Sequence, residues 1–303
     1  MNNHNAGLPL PLEGIRVLDE THIVAGPFCS LKRADMGAEA IKIERPRTGE
    51  LNRSRGDIIR KGHVDDELEI SARFLGTNRN KKSVTMDLRN PTCKAAFETM
   101  VSSSDVLVDN WGPGALDRLA LGYSRLQHVN RSLVYATITG YGDNEGFQGP
   151  YSSWPADNLC VQGMGGWMGI TWNSDAPAQS VGDNVGDSIP GLWTALAIVL
   201  ALETRRKTGQ GQHVDMAMYE CMAVHALGNM ATYQATGYDG PPGPENSINA
   251  GLVLQTKDGQ VVLAGARPER SWEAMWRMLG REDLLEDPRS LGGEQHRISI
   301  MPT

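Results

Sequence analysis

No run of lysine or arginine builds up anywhere in the chain. Acidic residues outnumber basic ones 36 to 29, and this net charge of -7 gives no electrostatic footprint for nucleic acid. Cysteine is scarce. Cys29, Cys93, Cys160 and Cys221 stand apart, with no C-x-x-C pair and no metal-ligand spacing, so they read as reduced thiols and exclude a disulfide framework. The seven histidines contain no H-x-x-x-H pair, which removes the usual zinc site, and no metal is expected. There is no G-x-S-x-G and no activating neighbourhood around a cysteine, so serine and thiol nucleophiles lack support. Glycine is plentiful at 34 residues, yet neither G-x-G-x-x-G nor G-x-x-x-x-G-K-[ST] occurs. A nicotinamide-dependent dehydrogenase and a P-loop are disfavoured on that ground. The opening MNNHNAGLPLPLEG has no apolar segment. The longest apolar run, Leu192 to Leu202, is too short for a bilayer and ends in Glu203-Thr-Arg-Arg-Lys207. A cytoplasmic protein without a membrane partner is expected.

What is present suits a large core. Of 303 residues, 40% are hydrophobic, enough for one large domain and a smaller one. Short β-rich runs alternate with helical patterns over the first 140 residues or so: Ile15–Asp19, Ala40–Glu44, Ser83–Asp87, Asp105–Asp109 and Ser132–Ile138 read as strands. Their apolar residues are continuous, as in a parallel sheet covered on both faces. Pro27–Met36 is predicted helical, and Asn90-Pro91 opens another helix with a capping residue followed by proline in the first turn. Beyond a loop-rich stretch, helices are expected at Asn158–Gly165, at Pro190–Arg206 as a long buried helix, and at Met216–Ala235. Pro241–Pro244 marks a linker. Leu252–Ala264 reads as a hairpin around Asp258-Gly259, followed by an amphipathic helix from Trp272 to Leu279. The expected organisation is a large α/β domain over residues 1–239 and a partial small domain over 240–303.

With serine, cysteine and metal excluded, a carboxylate remains. Gly182-Asp183-Asn184-Val185-Gly186-Asp187-Ser188 places two aspartates just before the long helix. A carboxylate there is an ordinary helix cap, and it is also a candidate nucleophile; the residues alone leave both open. The glycine-rich Gly163–Gly169 stretch is either a turn or a backbone surface open to a ligand.

The order of motifs resembles the family III CoA-transferases, the formyl-CoA and carnitine CoA-transferase family. The matching passages are Leu12–Asp19, Ala25–Cys29, Ala34–Ala38 with Ile41–Pro46, Asn78–Val84, Asp109–Gly114, Gly186–Ser188 and Lys207–Asp215. The resemblance implies a Rossmann-like α/β large domain, a smaller α+β domain and a homodimer of interlocked subunits. It implies no permanently bound cofactor, with coenzyme A or acyl-CoA as substrate and a small carboxylic acid as partner. Asp187 matches the family's nucleophile, which forms a mixed anhydride and then an aspartyl-CoA thioester. Backbone N–H groups at the start of its helix would stabilise the oxyanions. Val24, Ala25, Arg45, Met86, Asp87, Leu88, Arg89, Asn110, Trp111, Gly112 and Arg118 match CoA-binding positions. Some formyl-CoA transferases have glutamine where Val24 stands, which argues against a formyl or oxalate substrate. The related α-methylacyl-CoA racemases use a histidine base; by spacing, Asp157 stands in its place and Asn158 beside it. The transferase is therefore preferred over the racemase. The family's chains continue past this end and carry a glycine-rich lid not evident in Gly240–Gly251, so a truncated, non-catalytic CoA-binding protein is the third alternative.

Overall fold

The computed structural model describes residues 8–59, 70–143, 146–171, 177–237, 251–264 and 269–287. The expected linker at Pro241–Pro244, the lid segment up to Ala250 and the last sixteen residues lie outside these. In chain order the elements are β1 (Arg16–Glu20), α1 (Ala25–Asp35), β2 (Glu39–Glu44), β3 (Ile58–Ile59), β4 (Ile70–Ser71), α2 (Ala72–Asn78), β5 (Lys81–Thr85), α3 (Pro91–Ser102), β6 (Val106–Asp109), α4 (Ala115–Arg118), α5 (Tyr123–Val129), β7 (Val134–Thr139), α6 (Asn158–Met164), α7 (Trp167–Thr171), α8 (Val185–Thr208), β8 (His213–Ala217), α9 (Met218–Val224), α10 (Leu227–Thr236), β9 (Gly251–Gln255), β10 (Gln260–Ala264) and α11 (Glu269–Met278).

Six strands form one parallel sheet in the order β5-β2-β1-β6-β7-β8, the doubly wound arrangement expected from the sequence. The chain winds outward from β1 to β2 and β5, then returns to β6 on the other side. The strand order reverses between β1 and β6, so the crevice in which such sheets bind ligands is expected at the carboxyl ends of these two strands. The central strands β6 and β7 are buried along their whole length, which is why their sequences are apolar without alternation. One face of the sheet packs Leu18, Leu107 and Tyr135 against Phe97 and Val101 of α3 and Leu126 of α5. The other carries α1 and α8. Asn90 caps α3 as predicted, its side-chain oxygen accepting from Thr92 N at 2.9 Å.

Asp19 is fully buried beneath the end of β1. Lys81 Nζ donates to it at 2.8 Å and also to Pro27 O at 2.9 Å. Lys42 Nζ stands 3.5 Å from its other oxygen and donates to Thr21 O at 2.9 Å. Ser30 Oγ adds a 2.6 Å bond, and Thr21 Oγ1 donates as well. Burial alone would raise this carboxyl, but the two lysines overcome it and hold the group well below the carboxylate range. One side chain thus ties β1, β2, β5 and α1 together.

Three expectations change. His213–Ala217 is a strand, because it pairs with Tyr135–Thr139, so the helix expected at Met216–Ala235 begins later and divides into α9 and α10. The expected buried helix at Pro190–Arg206 runs from Val185 to Thr208 and is buried on one side only: Leu192, Leu196 and Leu200 are 55%, 49% and 59% exposed. The chain also divides into compact units differently from 1–239 and 240–303. One unit comprises residues 1–165 and 182–224, the other 166–181 and 225–303. Within the second unit β9 and β10 form the expected antiparallel hairpin, Trp167 meets His225 edge-on, and α11 buries Met275 and Trp276.

Removing the Asp19 charge leaves two lysines facing each other in the core. Asp19→Asn is therefore expected to cost about 3–5 kcal/mol, read as a lower urea midpoint. Adding Lys42→Met is expected to restore part of the loss, and equal midpoints for Asp19→Asn and wild type would contradict this account.

Candidate active site

Asp187 lies in the first turn of α8, and the local sequence explains how that turn is held. Gly186 N donates to Asn158 Oδ1 at 2.9 Å, and the same oxygen accepts from Gln162 Nε2 at 2.9 Å. A side chain at Gly186 would meet Asn158 O at 2.6 Å, so glycine is required for α8 to touch α6 this closely. One turn later a side chain at Gly191 would meet Ala25 O at 2.6 Å; here α8 seats on the start of α1. Arg33 strengthens that seam by donating to Ala195 O at 2.7 Å.

The Asp187 side chain is half-buried and takes no hydrogen bond or ion pair among the described residues. Its position near the helix start favours the charged form, yet burial, helped by the charge of Asp157, raises the carboxyl to about 6. Asp157 is exposed and behaves oppositely. It caps α6 by accepting from Cys160 N at 2.9 Å, and this bond holds it below its ordinary value. Of the expected oxyanion donors at the start of α8, three are already engaged. Gly186 N is bound to Asn158, and Asp187 N and Ser188 N both donate to Asn184 O, at 3.0 and 2.8 Å. The helix dipole remains, without free N–H groups from these three residues.

The other expected residues gather at the ends of the parallel strands. Val24 precedes α1 and Ala25 is its first residue. Arg45 follows β2, and its guanidinium lies over the Trp111 ring at 4.8 Å. Asn110, after β6, accepts from His22 N at 2.8 Å and donates to His22 O at 2.9 Å, locking together the two loops that flank the crevice. His22 and Trp111 pack with ring centroids 4.5 Å apart. Gly112 O accepts from Ala115 N, opening α4, at whose end Arg118 is exposed with one bond to Pro113 O at 3.2 Å. Met86 follows β5, with its N bonded to Glu44 O at 2.8 Å. Leu88 is spent on the core, and Asp87 and Arg89 pair with each other at 2.9 Å on the surface. Arg45, Asn110 and Trp111 thus share one crevice, whereas Asp87 and Arg89 meet each other. Asn158 is used to position α8.

Sequence reasoning passed over the inner wall of this crevice. His22 is buried enough to be pushed down to about 4, aided by Lys42, Arg45 and Arg55, and so is neutral. Ile23 has φ of 67°, a strained backbone for a β-branched residue. Glu50 holds it there by accepting its N–H at 2.6 Å, and Asn52 donates to its carbonyl at 2.5 Å. The only signal in the sequence was their proximity to the matched passages.

A family model described as CoA-transferase family III matches residues 12–299. The chain is 35% identical to a succinyl-CoA:mesaconate CoA-transferase of Haloarcula hispanica over 280 residues, covering 91% of this chain and 69% of that protein. It is 39% identical to a formyl-CoA:oxalate CoA-transferase of Streptomyces avermitilis over 295 residues, covering 91% and 69%. Among solved structures, a CAIB/BAIF family protein of Brucella suis superposes with a TM-score of 0.82 at 31% identity, covering 96% of this chain and 75% of that one. The chain belongs to CoA-transferase family III.

Proposed function

We propose that this CoA-transferase works by covalent catalysis at Asp187, with the nucleotide end of CoA in the crevice between β1 and β6. The observation that carries the reading is the state of Asp187: half-buried, uncommitted to any partner among the described residues, and mounted on a helix start that Asn158 holds in place. A capping aspartate would be occupied by backbone N–H groups, and these are already taken.

The carboxylate attacks the acyl-CoA carbonyl and expels CoA thiolate, forming a mixed anhydride. The thiolate then attacks the aspartyl carbonyl and releases the donor acid, leaving an aspartyl-CoA thioester. The acceptor carboxylate attacks that thioester, again expelling thiolate, which closes the cycle on the acceptor's acyl carbonyl and regenerates Asp187. No step consumes water, so a half-buried nucleophile suits the chemistry. Raising the carboxyl also makes the carboxylate more basic and more nucleophilic while leaving it mostly ionised at pH 7. Arg45 would bind phosphate and stack on adenine, with Asn110, Trp111 and the Val24–Ala25 backbone forming the rest of the site. Arg118, exposed at the end of α4, would meet a phosphate.

A racemase would need a second base. Asp157 stands in the histidine position, but its carboxyl is committed to Cys160 N. We place the enzyme in the cytoplasm as a homodimer, the interlocked arrangement of its family. Two observations support this: the four cysteines are free, and α8 presents Leu192, Leu196, Val199 and Leu200 along one exposed stripe of the kind that seeks a partner. Substrates are best sought among short dicarboxylic acids, starting with succinyl-CoA, because relatives are named for succinyl-CoA, mesaconate and glutarate.

Asp187→Asn is expected to lower exchange by at least about 10³-fold and to abolish the adduct that hydroxylamine traps on the wild type. The same variant is expected to be more stable. Folding raises this carboxyl from 3.8 to about 6, so ionised Asp187 costs stability above pH 6, and the cost fades as pH falls to 3.8 and below. The neutral isostere should gain about 3 kcal/mol at pH 7, measured as a higher urea midpoint. Unchanged exchange in the folded variant would refute the reading, and CoA binding without exchange or adduct in the wild type would leave a non-catalytic protein.

Because burial and Asp157 raise this carboxyl to about 6, the acid limb of kcat/KM is expected near pH 6. Asp157→Asn keeps the α6 cap and removes the charge, so the limb should move to lower pH. A limb that stays put or moves upward would show that Asp157 does not act on Asp187.

A further inference from the structure

Among the described residues, four buried side-chain polar atoms have no hydrogen-bond partner: Glu20 Oε2, His22 Nδ1, Trp111 Nε1 and Arg33 Nε. Three of the four meet at the crevice between β1 and β6. Glu20 closes β1 and is paired in register with Asp109, which closes β6. Residues so paired point to the same face of the sheet, and both are buried, at 8% and 3% exposure. Two carboxyl groups therefore stand side by side in the interior, and no salt bridge to a described residue reaches either.

Their surroundings divide the roles. Asp109 accepts from Tyr135 OH at 2.6 Å and from Trp111 N at 3.2 Å, so its charge has donors. Glu20 has no hydrogen bond of normal geometry, although the Trp111 indole N–H is close enough to favour its charged form. The charges that act on Glu20 are Asp109, in register with it on β6, and, from the opposite face of the sheet, Lys42 on β2 and Asp19 on its own strand, with Trp111 in the loop after β6. Lys42 is engaged with Asp19 and Thr21 O. The one arrangement without an unpaired buried anion puts a proton on Glu20. In line with this, burial is the first cause raising the group, to about 8, and Asp109 and Asp19 add to it. Asp109 itself is raised to about 7, again chiefly by burial.

We propose that Glu20 is a positioning residue for CoA: as a neutral acid it backs the His22–Trp111–Arg45 stack, and its ionisation loosens that stack and weakens CoA binding. A charge on Glu20 repels Asp109 and must be hydrated, which pulls apart the ends of β1 and β6. Those ends carry the reciprocal His22–Asn110 bonds, so the disturbance passes directly to the loops that hold Trp111. The inference rests on the proposed placement of the nucleotide end of CoA in this crevice.

The test is CoA affinity by titration calorimetry from pH 6.5 to 9.5 for wild type, Glu20→Gln, Glu20→Met and Arg45→Ala. Wild-type Kd is expected to weaken at least tenfold over this range with a midpoint near 8. Glu20→Gln, which cannot ionise, should hold the low-pH affinity throughout, and Glu20→Met should be equally flat in pH. His22 is already neutral across the range. A Glu20→Gln profile that still falls like wild type assigns the titration to Asp109 or to Lys81, which burial lowers to about 8, and overturns the proposal. Arg45→Ala separates the two levels. If it loses CoA affinity while Glu20→Gln titrates like wild type, only the role of Glu20 fails. If it binds CoA as wild type does, the placement of the nucleotide end fails, and the proposal with it.

Discussion

The contact between Asp19 and its two lysines determines more of this structure than any other. A buried carboxylate is tolerable only when cations and donors surround it. Here they come from β2, from β5 and, through Ser30 and the Pro27 carbonyl that Lys81 also grips, from α1. The network fixes α1 on the sheet. α8 then seats on α1 through Gly191 against Ala25 and Arg33 against the Ala195 carbonyl. The first turn of α8 presents Asp187, and the loop that Lys42 holds by the Thr21 carbonyl leads into His22, Ile23 and Val24. The proposed nucleophile and the proposed nucleotide crevice are thus referred to one ion cluster in the core.

Much of the sheet was legible because its strands are covered on both faces. Continuous apolar runs such as Val106–Val108 and Val134–Ile138 admit few other readings, and Asn90-Pro91 and Asp258-Gly259 carry their own local chemistry. β8 was missed because His213-Val-Asp-Met-Ala217 is short, half-polar and fused to a helix; only pairing with β7 makes it a strand. The exposure of α8 was missed for the opposite reason. Its apolar residues run almost all round the helix, so no stripe betrays which side faces the sheet.

The site divides in the same way. Asp187 stood out because glycine before it and serine after it belong to a recognisable passage, and the close approach of α6 to α8 gives Gly186 a physical reason. The role of Asn158 could not be read. An asparagine at the start of a helix satisfies any number of local bonds, and only the fold brings Gly186 to it across 28 positions. Ile23 is harder still. A β-branched residue is a poor guess for a left-handed backbone, and what holds it there is Glu50 and Asn52, 27 and 29 positions away. Tertiary context overrides local preference in this loop.

One protein places five carboxyl groups in five electrostatic states by a single rule, the balance between burial and donors. Asp19 is buried with two cations and stays ionised far below neutrality. Asp157 is exposed, with a backbone N–H, and is also held down. Asp187 has burial and a neighbouring charge but no donor among the described residues, and rises to about 6. Asp109 has burial with two donors and reaches about 7; Glu20, buried beside it with poorer donors, reaches about 8. A carboxylate nucleophile must be ionised and yet poorly stabilised, since each bond that lowers its basicity also lowers its reactivity. Of the five, Asp187 alone is raised while remaining mostly charged at pH 7, and it alone stands at the start of a helix whose first N–H groups are occupied elsewhere. Those occupied groups leave the carboxylate available. Were they free, they would cap it, and the proposal that the same aspartate is the nucleophile would lose its support.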